Sequence, residues 1–437
     1  MPALRLTNKA ATVSKDRTPT GQSGNSPFNR TAQHDAKRAA ILSQAARLFN
    51  GRGSRSTTLL DIAQGLGLTK TSLYYYVKTK EELIYQCYIA ALDHIMRGYD
   101  RIEAENIDPL ARVQAAVRAH FEDWRAAQEG KRDHTAALLE IASLKDQHRA
   151  DVEQRYIVMF KRLRQFLRDG VANGSIRDIE PTAATLSLIG SMQWSFNWLR
   201  TVPMEEFDTV VDAAVDIVTY GVAAQPFAFE DFDFSASALG NGQSFDRDQQ
   251  NRLKQEAFFK AGTWFFNKQG FVGTSLDEIA ETLDVTKGAF YYHIRNKEDL
   301  LYSCYTRSLD ISRAIYDMAD DKANGMSKVD YTLRRTFHVQ NSDEGPLIRY
   351  NSITALPVPR RKEILALTDQ GRDRFGQFLR DGMADGSVRP INIEVAQELF
   401  GGASNASMDL PLWRKVEDIT AASRDYYQLF FNGLAPR

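Results

Sequence analysis

Cysteine is nearly absent from this chain. Among 437 residues only Cys87 and Cys304 occur, too few for a disulfide framework or a cysteine-based zinc site, and in keeping with a reducing compartment. Long apolar runs are missing too: no stretch approaches the roughly 20 residues that span a bilayer, and the first residues lack the charged-then-apolar order of a secretory leader. These absences lead to the expectation of a cytoplasmic protein with no membrane partner. Nor is there an excess of charge, since 55 Lys and Arg stand against 56 Asp and Glu, for a formal net charge of −1. A uniformly basic nucleic-acid protein is thereby excluded, although the local distribution bears more on partners than the sum does.

Catalytic signatures are equally scarce. The histidines at positions 34, 94, 120, 134, 148, 293 and 338 form no metal-binding pair at helical spacing, and neither His-Glu-x-x-His nor Gly-x-Ser-x-Gly occurs. Gly65-Leu66-Gly67 ends a helix and is not a phosphate cradle. The expectation is therefore no enzyme, no metal and no cofactor.

What is present is a long internal repeat. The block Arg47-Leu48-Phe49-Asn50 through Tyr88 recurs as Trp264-Phe265-Phe266-Asn267 through Tyr305, and Ile62, Thr69, Tyr74 and Cys87 each reappear 217 positions later as Ile279, Thr286, Tyr291 and Cys304. Downstream, Gln165-Phe166-Leu167-Arg168-Asp169-Gly170 recurs as Gln377-Phe378-Leu379-Arg380-Asp381-Gly382 at an offset of 212. The whole unit is duplicated, and the slip of five implies a net deletion, easiest in an interhelical loop.

Hydrophobic periodicity makes both copies all-α. Ile41, Ala45 and Leu48 share one helical face, Leu59, Ile62, Ala63 and Leu66 share another, and a short third helix starts after Thr69, a natural N-cap like Thr286 in the second copy. Gly67, and Asp284 in its place, supply the turn between the last two helices. Two short helices held on a third is the arrangement that projects one helix into a major groove. Lys70, Thr71 and Ser72 sit at the N-terminal end of that helix, followed by Tyr74 and Tyr75, with Lys80 opening the next helix as a cationic clamp on phosphate.

The two stretches Thr57-Thr58-Leu59-Leu60-Asp61-Ile62-Ala63 and Gly67-Leu68-Thr69-Lys70-Thr71-Ser72-Leu73-Tyr74-Tyr75-Tyr76-Val77, with Lys80-Glu81-Glu82-Leu83, resemble the signature of the tetracycline-repressor (TetR) family. Residues Thr274 to Ala280, Val285 to Ile294 and Lys297 to Leu300 resemble it again. The resemblance implies a nine-helix subunit that homodimerises, binds a palindromic operator as a repressor and lets go when a small molecule enters its larger domain. Carried over by position, it makes Thr69, Lys70, Thr71, Ser72, Tyr74, Tyr75 and Lys80 the DNA-contact candidates of the first copy. Those of the second are Thr286, Lys287, Gly288, Ala289, Tyr291, Tyr292 and Lys297.

The expected order is a disordered basic arm (1–33), a first helix-turn-helix domain (34–88), a first helical sensing and association domain (89–222), a linker (223–245), a second helix-turn-helix domain (246–305) and a second sensing domain (306–437). The arm reads as a solubilising tail or a DNA-touching extension. The linker holds Phe227, Phe229, Phe232 and Phe234 with acids and no Lys or Arg. It reads as a mobile spacer or as a strap seated in a helix groove. About 23 residues of tether reach about 75 Å, enough for an intramolecular pseudo-dimer whose last helices (about 181–222 and 393–434) form a four-helix interface. The rival is a homodimer of tandem chains with four reading heads.

The copies differ where they would read: Thr71-Ser72 against Gly288-Ala289, and 9 basic and 4 acidic side chains in residues 30–86 against 8 and 8 in residues 247–303. Unequal half-sites follow as an expectation. For a small, hydrophobic effector, the candidate lining is Phe121, Trp124, Met192, Trp194 and Trp198, for which core packing is the simpler explanation. A ligand- or protein-binding adaptor that has lost DNA affinity in one or both modules is the alternative function.

Overall fold

In the computed structural model, residues 27–139, 141, 144–235 and 247–436 are described. All of the regular elements among them are helical, with one isolated bridge between Ala223 and Val388. The first unit runs α1 (Pro27–Arg52), α2 (Leu59–Gly65), α3 (Lys70–Tyr74), α4 (Lys80–Ala104), α5 (Pro109–Gln128), α6 (Asp146–Asn173), α7 (Pro181–Trp198) and α8 (Phe207–Tyr220). The second runs α9 (Arg247–Gly273), α10 (Leu276–Thr282), α11 (Lys287–His293), α12 (Lys297–Ala319), α13 (Gly325–Gln340), α14 (Val358–Asp385), α15 (Ile393–Ala406), α16 (Leu410–Trp413) and α17 (Ile419–Asn432).

Two expectations need correction. Helix α1 starts at Pro27, so residues 27–33 are helical and not part of a disordered arm; residues before 27 lie outside the described ones. The deletion that separates the two offsets is also not confined to a loop. Helix α5 has 20 residues and its counterpart α13 has 16, a loss of about one turn that leaves the buried face in phase.

Local chemistry sets the short helices. Thr58 and Asp61 form a reciprocal capping box on α2, at 3.1 and 2.8 Å. Thr69 and Thr286 cap α3 and α11 by accepting from the Ser72 and Ala289 amides at 3.1 and 3.2 Å. Gly67 (φ 64°) and Asp284 (φ 53°) both take the left-handed conformation that the tight turn requires.

The two units meet as an intramolecular pseudo-dimer. Helices α7 and α8 pack against α15 and α17, and the backbone bonds between the units include a pair matched at the 212 offset. The Arg177 amide donates to the Leu434 carbonyl at 2.9 Å, and the Arg389 amide donates to Val222 at 3.0 Å. At the crossing of α7 and α15, Gly190 and Gly402 face each other. A Cβ on Gly190 would lie 2.9 Å from the Gly402 carbonyl oxygen, and one on Gly402 would lie 2.8 Å from the Gly190 oxygen. Ser191 Oγ donates across the same contact to the Leu399 carbonyl at 2.6 Å.

The linker is a strap over its described part. Asn432 pins it with a pair of bonds to the Phe227 backbone, at 2.7 and 3.0 Å. Phe229, Phe232 and Phe234 then surround the buried guanidinium of Arg334 at 5.4, 5.0 and 5.7 Å. Arg334 is paired with buried Asp330 on the next turn of α13, at 2.5 and 2.8 Å. Burial pushes the Asp330 carboxyl up while its bonds to Arg334 oppose the rise. Residues 236–246 lie outside the described ones.

Replacing Gly402 by leucine is expected to force α7 and α15 apart and to lower folding stability by about 3 kcal/mol. The readout is the urea midpoint followed by circular dichroism; an unchanged midpoint would contradict the close crossing.

Candidate nucleic-acid interface

The short third helix of each head is anchored by two buried side chains, one within it and one just after it, and presents most of the rest. Leu73 and Val77 hold α3 in the first head, and Phe290 and Ile294 hold α11 in the second. Lys70, Thr71 and Ser72 are exposed, as are Thr69, Tyr74 and Tyr75. The Lys70 ammonium lies free of carboxylates among the described residues, 5.6 Å from the Tyr74 ring. His34 of α1 packs on Tyr76 at 4.9 Å and on Tyr75 at 5.9 Å, bracing the far end of α3.

The second head presents the same surface with different electrostatics. Thr286, Lys287, Gly288, Ala289, Tyr291 and Tyr292 are all exposed. However, Lys287 is bound to Asp277 of α10 at 2.6 Å, and the Tyr291 hydroxyl donates to the same carboxylate at 3.3 Å. The bond between Lys287 and Asp277 raises the Lys287 pKa and lowers that of Asp277. Leu60 occupies the position of Asp277 in the first head, so only the second head neutralises its own leading lysine. Gly288 faces open space.

Lys80 and Lys297, the expected phosphate clamps, turn inward instead. Lys80 Nζ donates to the Ser54 carbonyl at 3.2 Å, and Lys297 Nζ donates to Phe271 at 3.0 Å and Thr274 at 2.5 Å. Each fastens the segment after the first long helix of its own head, which in the second head begins at the break in α9 at Gly270 (φ 68°). Desolvation, with Arg55 nearby, lowers the Lys297 pKa.

Those two segments also meet each other. The Arg55 guanidinium stacks over the Phe271 ring at 4.2 Å and lies 3.8 Å from Glu298. The heads thus touch through matched loops beside the pseudo-twofold. Neither Arg55 nor Phe271 stands out in the sequence, because their contact crosses between the copies.

A second unforeseen pair fastens each head to its body. Asn50 donates to the Thr135 carbonyl at 2.8 Å and accepts from the Ala137 amide at 2.9 Å. Asn267 does the same to the Leu347 carbonyl and the Arg349 amide, both at 2.9 Å. Its repetition at the 217 offset was the available signal. These bonds fasten the first helix of each head to the loop that follows α5 or α13.

The candidate effector residues divide. Phe121 and Trp198 pack at 6.2 Å, Trp124 stacks on Phe207 at 5.5 Å, and Met192 is buried beside them. His120, bonded to Ser195 at 2.8 Å, is held neutral there, its pKa pushed down to about 4 by burial. Trp194 does not join this group: its indole N–H donates to Glu398 of the second unit at 2.8 Å, and its ring meets Tyr350 at 5.3 Å. Burial raises the pKa of both cysteines, Cys304 to about 12, and each thiol donates to a carbonyl of the first helix of its head, at 3.6 and 3.4 Å. Among the described residues no cluster could hold a metal ion, and no helix is long and apolar enough to cross a membrane.

The sequence is similar to known proteins. Residues 41–87 and 259–304 each match the bacterial regulatory proteins of the tetR family, and residues 106–231 match the tetracyclin repressor-like C-terminal domain. The chain is 29% identical over 203 residues to the HTH-type transcriptional repressor KstR2 of Rhodococcus jostii, covering 45% of this chain and 97% of that one. It is 37% identical over 90 residues to KstR2 of Mycobacterium tuberculosis, covering 21% and 45%. Among solved structures, AibR in complex with isovaleryl coenzyme A and operator DNA is 25% identical over 41% of this chain and 97% of its own, with a TM-score of 0.36. The ketosteroid regulator KstR2 of M. tuberculosis is 26% identical over 41% and 92%, with a TM-score of 0.35. The chain belongs to the TetR family of helix-turn-helix transcriptional regulators and carries the family's unit twice in tandem.

Proposed function

We propose that this chain is a sequence-specific transcriptional repressor in which one polypeptide supplies both reading heads, binds an operator with unequal half-sites and releases it on binding a small molecule. The observation that carries this reading is the exposure of Lys70, Thr71 and Ser72 on a helix braced from behind by Leu73, with a second such helix tied to it through matched interface contacts. The repressor role follows the KstR2 relatives, and the effector role is supported by the Asn50 and Asn267 links between heads and bodies. Phosphate contacts come from Lys70, Tyr74 and Tyr75 and from the first-turn amides of α3. Lys80 and Lys297 act as positioning residues.

The first head carries most of the affinity, because Lys70 is free for DNA whereas Lys287 is held by Asp277. A pair between such exposed groups is weak and easily exchanged for phosphate, so the second head still binds, at a cost. Gly288 and Ala289 offer no side-chain donor to a base edge. Its half-site is therefore read loosely.

The decisive experiment is fluorescence anisotropy of the full chain against genomic operator fragments across salt concentrations, with the mass of the complex measured in parallel. Strong sequence preference, a steep salt slope and one chain per operator are expected; sequence-blind or absent binding would leave the adaptor reading, and two chains per operator the four-headed one. On the selected operator, Lys70→Ala weakens binding about tenfold, a loss of the order of one charged contact, and Lys287→Ala weakens it less. Equal losses would contradict the asymmetry. Asp277→Ala frees Lys287 and is expected to tighten binding a few-fold; an unchanged affinity would show that the pair does not restrain the lysine.

A further inference from the structure

A cleft of about 720 Å³ opens in the first unit between α1, α4 and residues 132–135. It is separate from the aromatic group around Phe121. Its floor is made of small apolar side chains, Ala39, Leu42 and Ala46 from α1 with Ala90 and Ala91 from α4. Arg97 and Arg101, one turn apart on α4, stand at its edge, and among the described residues neither is paired with a carboxylate. The acids nearby are largely committed. Asp100 is paired with Arg162 at 2.7 Å, and Asp123 is taken by His94 at 2.5 Å and by Arg132, which leaves Asp133 on the rim.

The second unit shows what the same place looks like when filled. Cys87 donates to the Leu42 carbonyl, and Cys304 makes the identical contact to Phe259, so the two sites superpose residue by residue at the 217 offset. Where the first unit has Ala39 and Ala90, the second has Glu256 and Arg307. The Arg307 guanidinium is buried, bonded to Glu256 at 2.6 Å, to the Pro346 carbonyl at 3.1 Å and to the Glu344 carbonyl. This plug ties α9, α12 and the loop after α13 into one block. In the first unit alanines stand at both positions, and α1 meets the loop through the Ser43 hydroxyl, which accepts from the His134 amide at 2.9 Å, and through the Asn50 link, with no buried charge between them.

We infer that the first-unit cleft is a binding site for a small anionic amphiphile, and that its occupant does for the first head what Arg307 does permanently for the second. The apolar body lies on the alanine floor, and the anionic group is bound by Arg97 and Arg101 at the edge, as arginine pairs bind carboxylate and phosphate. The volume falls in the ordinary range for small-molecule sites. An occupant wedged between α1 and α4 bears directly on the helix that carries the first head, so only that head is regulated. The identity of the ligand rests on the cleft alone; its effect on DNA rests on the function proposed above.

The test is calorimetric titration of the full chain, without DNA, with octanoate and octyl phosphate, and with octanol and octylamine as uncharged and cationic counterparts. One anion per chain is expected to bind, octanol and octylamine at least about tenfold more weakly, and Arg97→Glu/Arg101→Glu is expected to remove the preference. Preference for octanoate over octyl phosphate, or the reverse, separates a free carboxylate ligand from a phosphate-bearing one. Ala39→Glu/Ala90→Arg grafts the second unit's plug into the first and should abolish binding at an unchanged thermal midpoint. The converse, Glu256→Ala/Arg307→Ala, should open a cavity with no preference for the anions, because Ala314 and Met318 stand where the first unit has Arg97 and Arg101. Binding that survives the graft, binding indifferent to charge, or no saturable binding of either anion would overturn the proposal. Failure to bind any operator would instead overturn only the DNA reading and leave these titrations standing.

Discussion

The architecture hangs on one close approach, the crossing of α7 and α15 at Gly190 and Gly402. There each backbone carbonyl occupies the space that a Cβ on the opposite residue would need. Such a contact is available only when small residues coincide on both helices. Because it lies beside the pseudo-twofold axis, it sets the relation of every other matched pair, from the Arg177 and Arg389 amides to the loops of the two heads. Tethering makes this contact intramolecular, so its formation does not depend on the concentration of chains.

Once the partner is guaranteed by covalent linkage, the two copies are free to diverge, and they have done so at particular positions. Asp277 stands where the first head has Leu60 and restrains Lys287. Arg307 and Glu256 stand where it has alanines and close a cleft. In the function proposed here both changes act in the same direction, making the second head a fixed, weakly charged support and the first the reading and responding one. In a homodimer each substitution would appear in both heads at once, and neither kind of division of labour would be possible.

Much of this was legible in the sequence, and the reasons for the rest are physical. The repeat, the caps Thr69 and Thr286 and the left-handed turn residues Gly67 and Asp284 are local features, encoded within a few positions and therefore readable. The pairing of the last helices followed from connectivity. What escaped was tertiary. Lys80 and Lys297 sit at the family's phosphate-contact positions, yet their amines find backbone carbonyls of a loop more than 20 residues away. Trp194 shares a helix with Met192 and Trp198, but helical rotation points it at Glu398 of the other unit. The cleft was invisible because it is defined by what alanines leave out, and only comparison with Arg307 gives those alanines meaning.

The linker shows how a tether becomes part of the fold. A buried arginine is costly unless its charge is met on several sides. Asp330 meets the Arg334 charge on one side, the Glu230 carbonyl on another at 2.6 Å, and three phenylalanine rings close the remainder. Every one of those groups except Asp330 comes from the linker, so α13 is complete only when residues 227–234 lie across it. The strap leaves the first unit from α8 and reaches α13 beside α17, which places the start of the second unit's chain on a body already packed against the first. A segment of acids and phenylalanines therefore does what a flexible tether cannot: it adds to the core of the second unit the same stretch of chain that prevents the two units from parting.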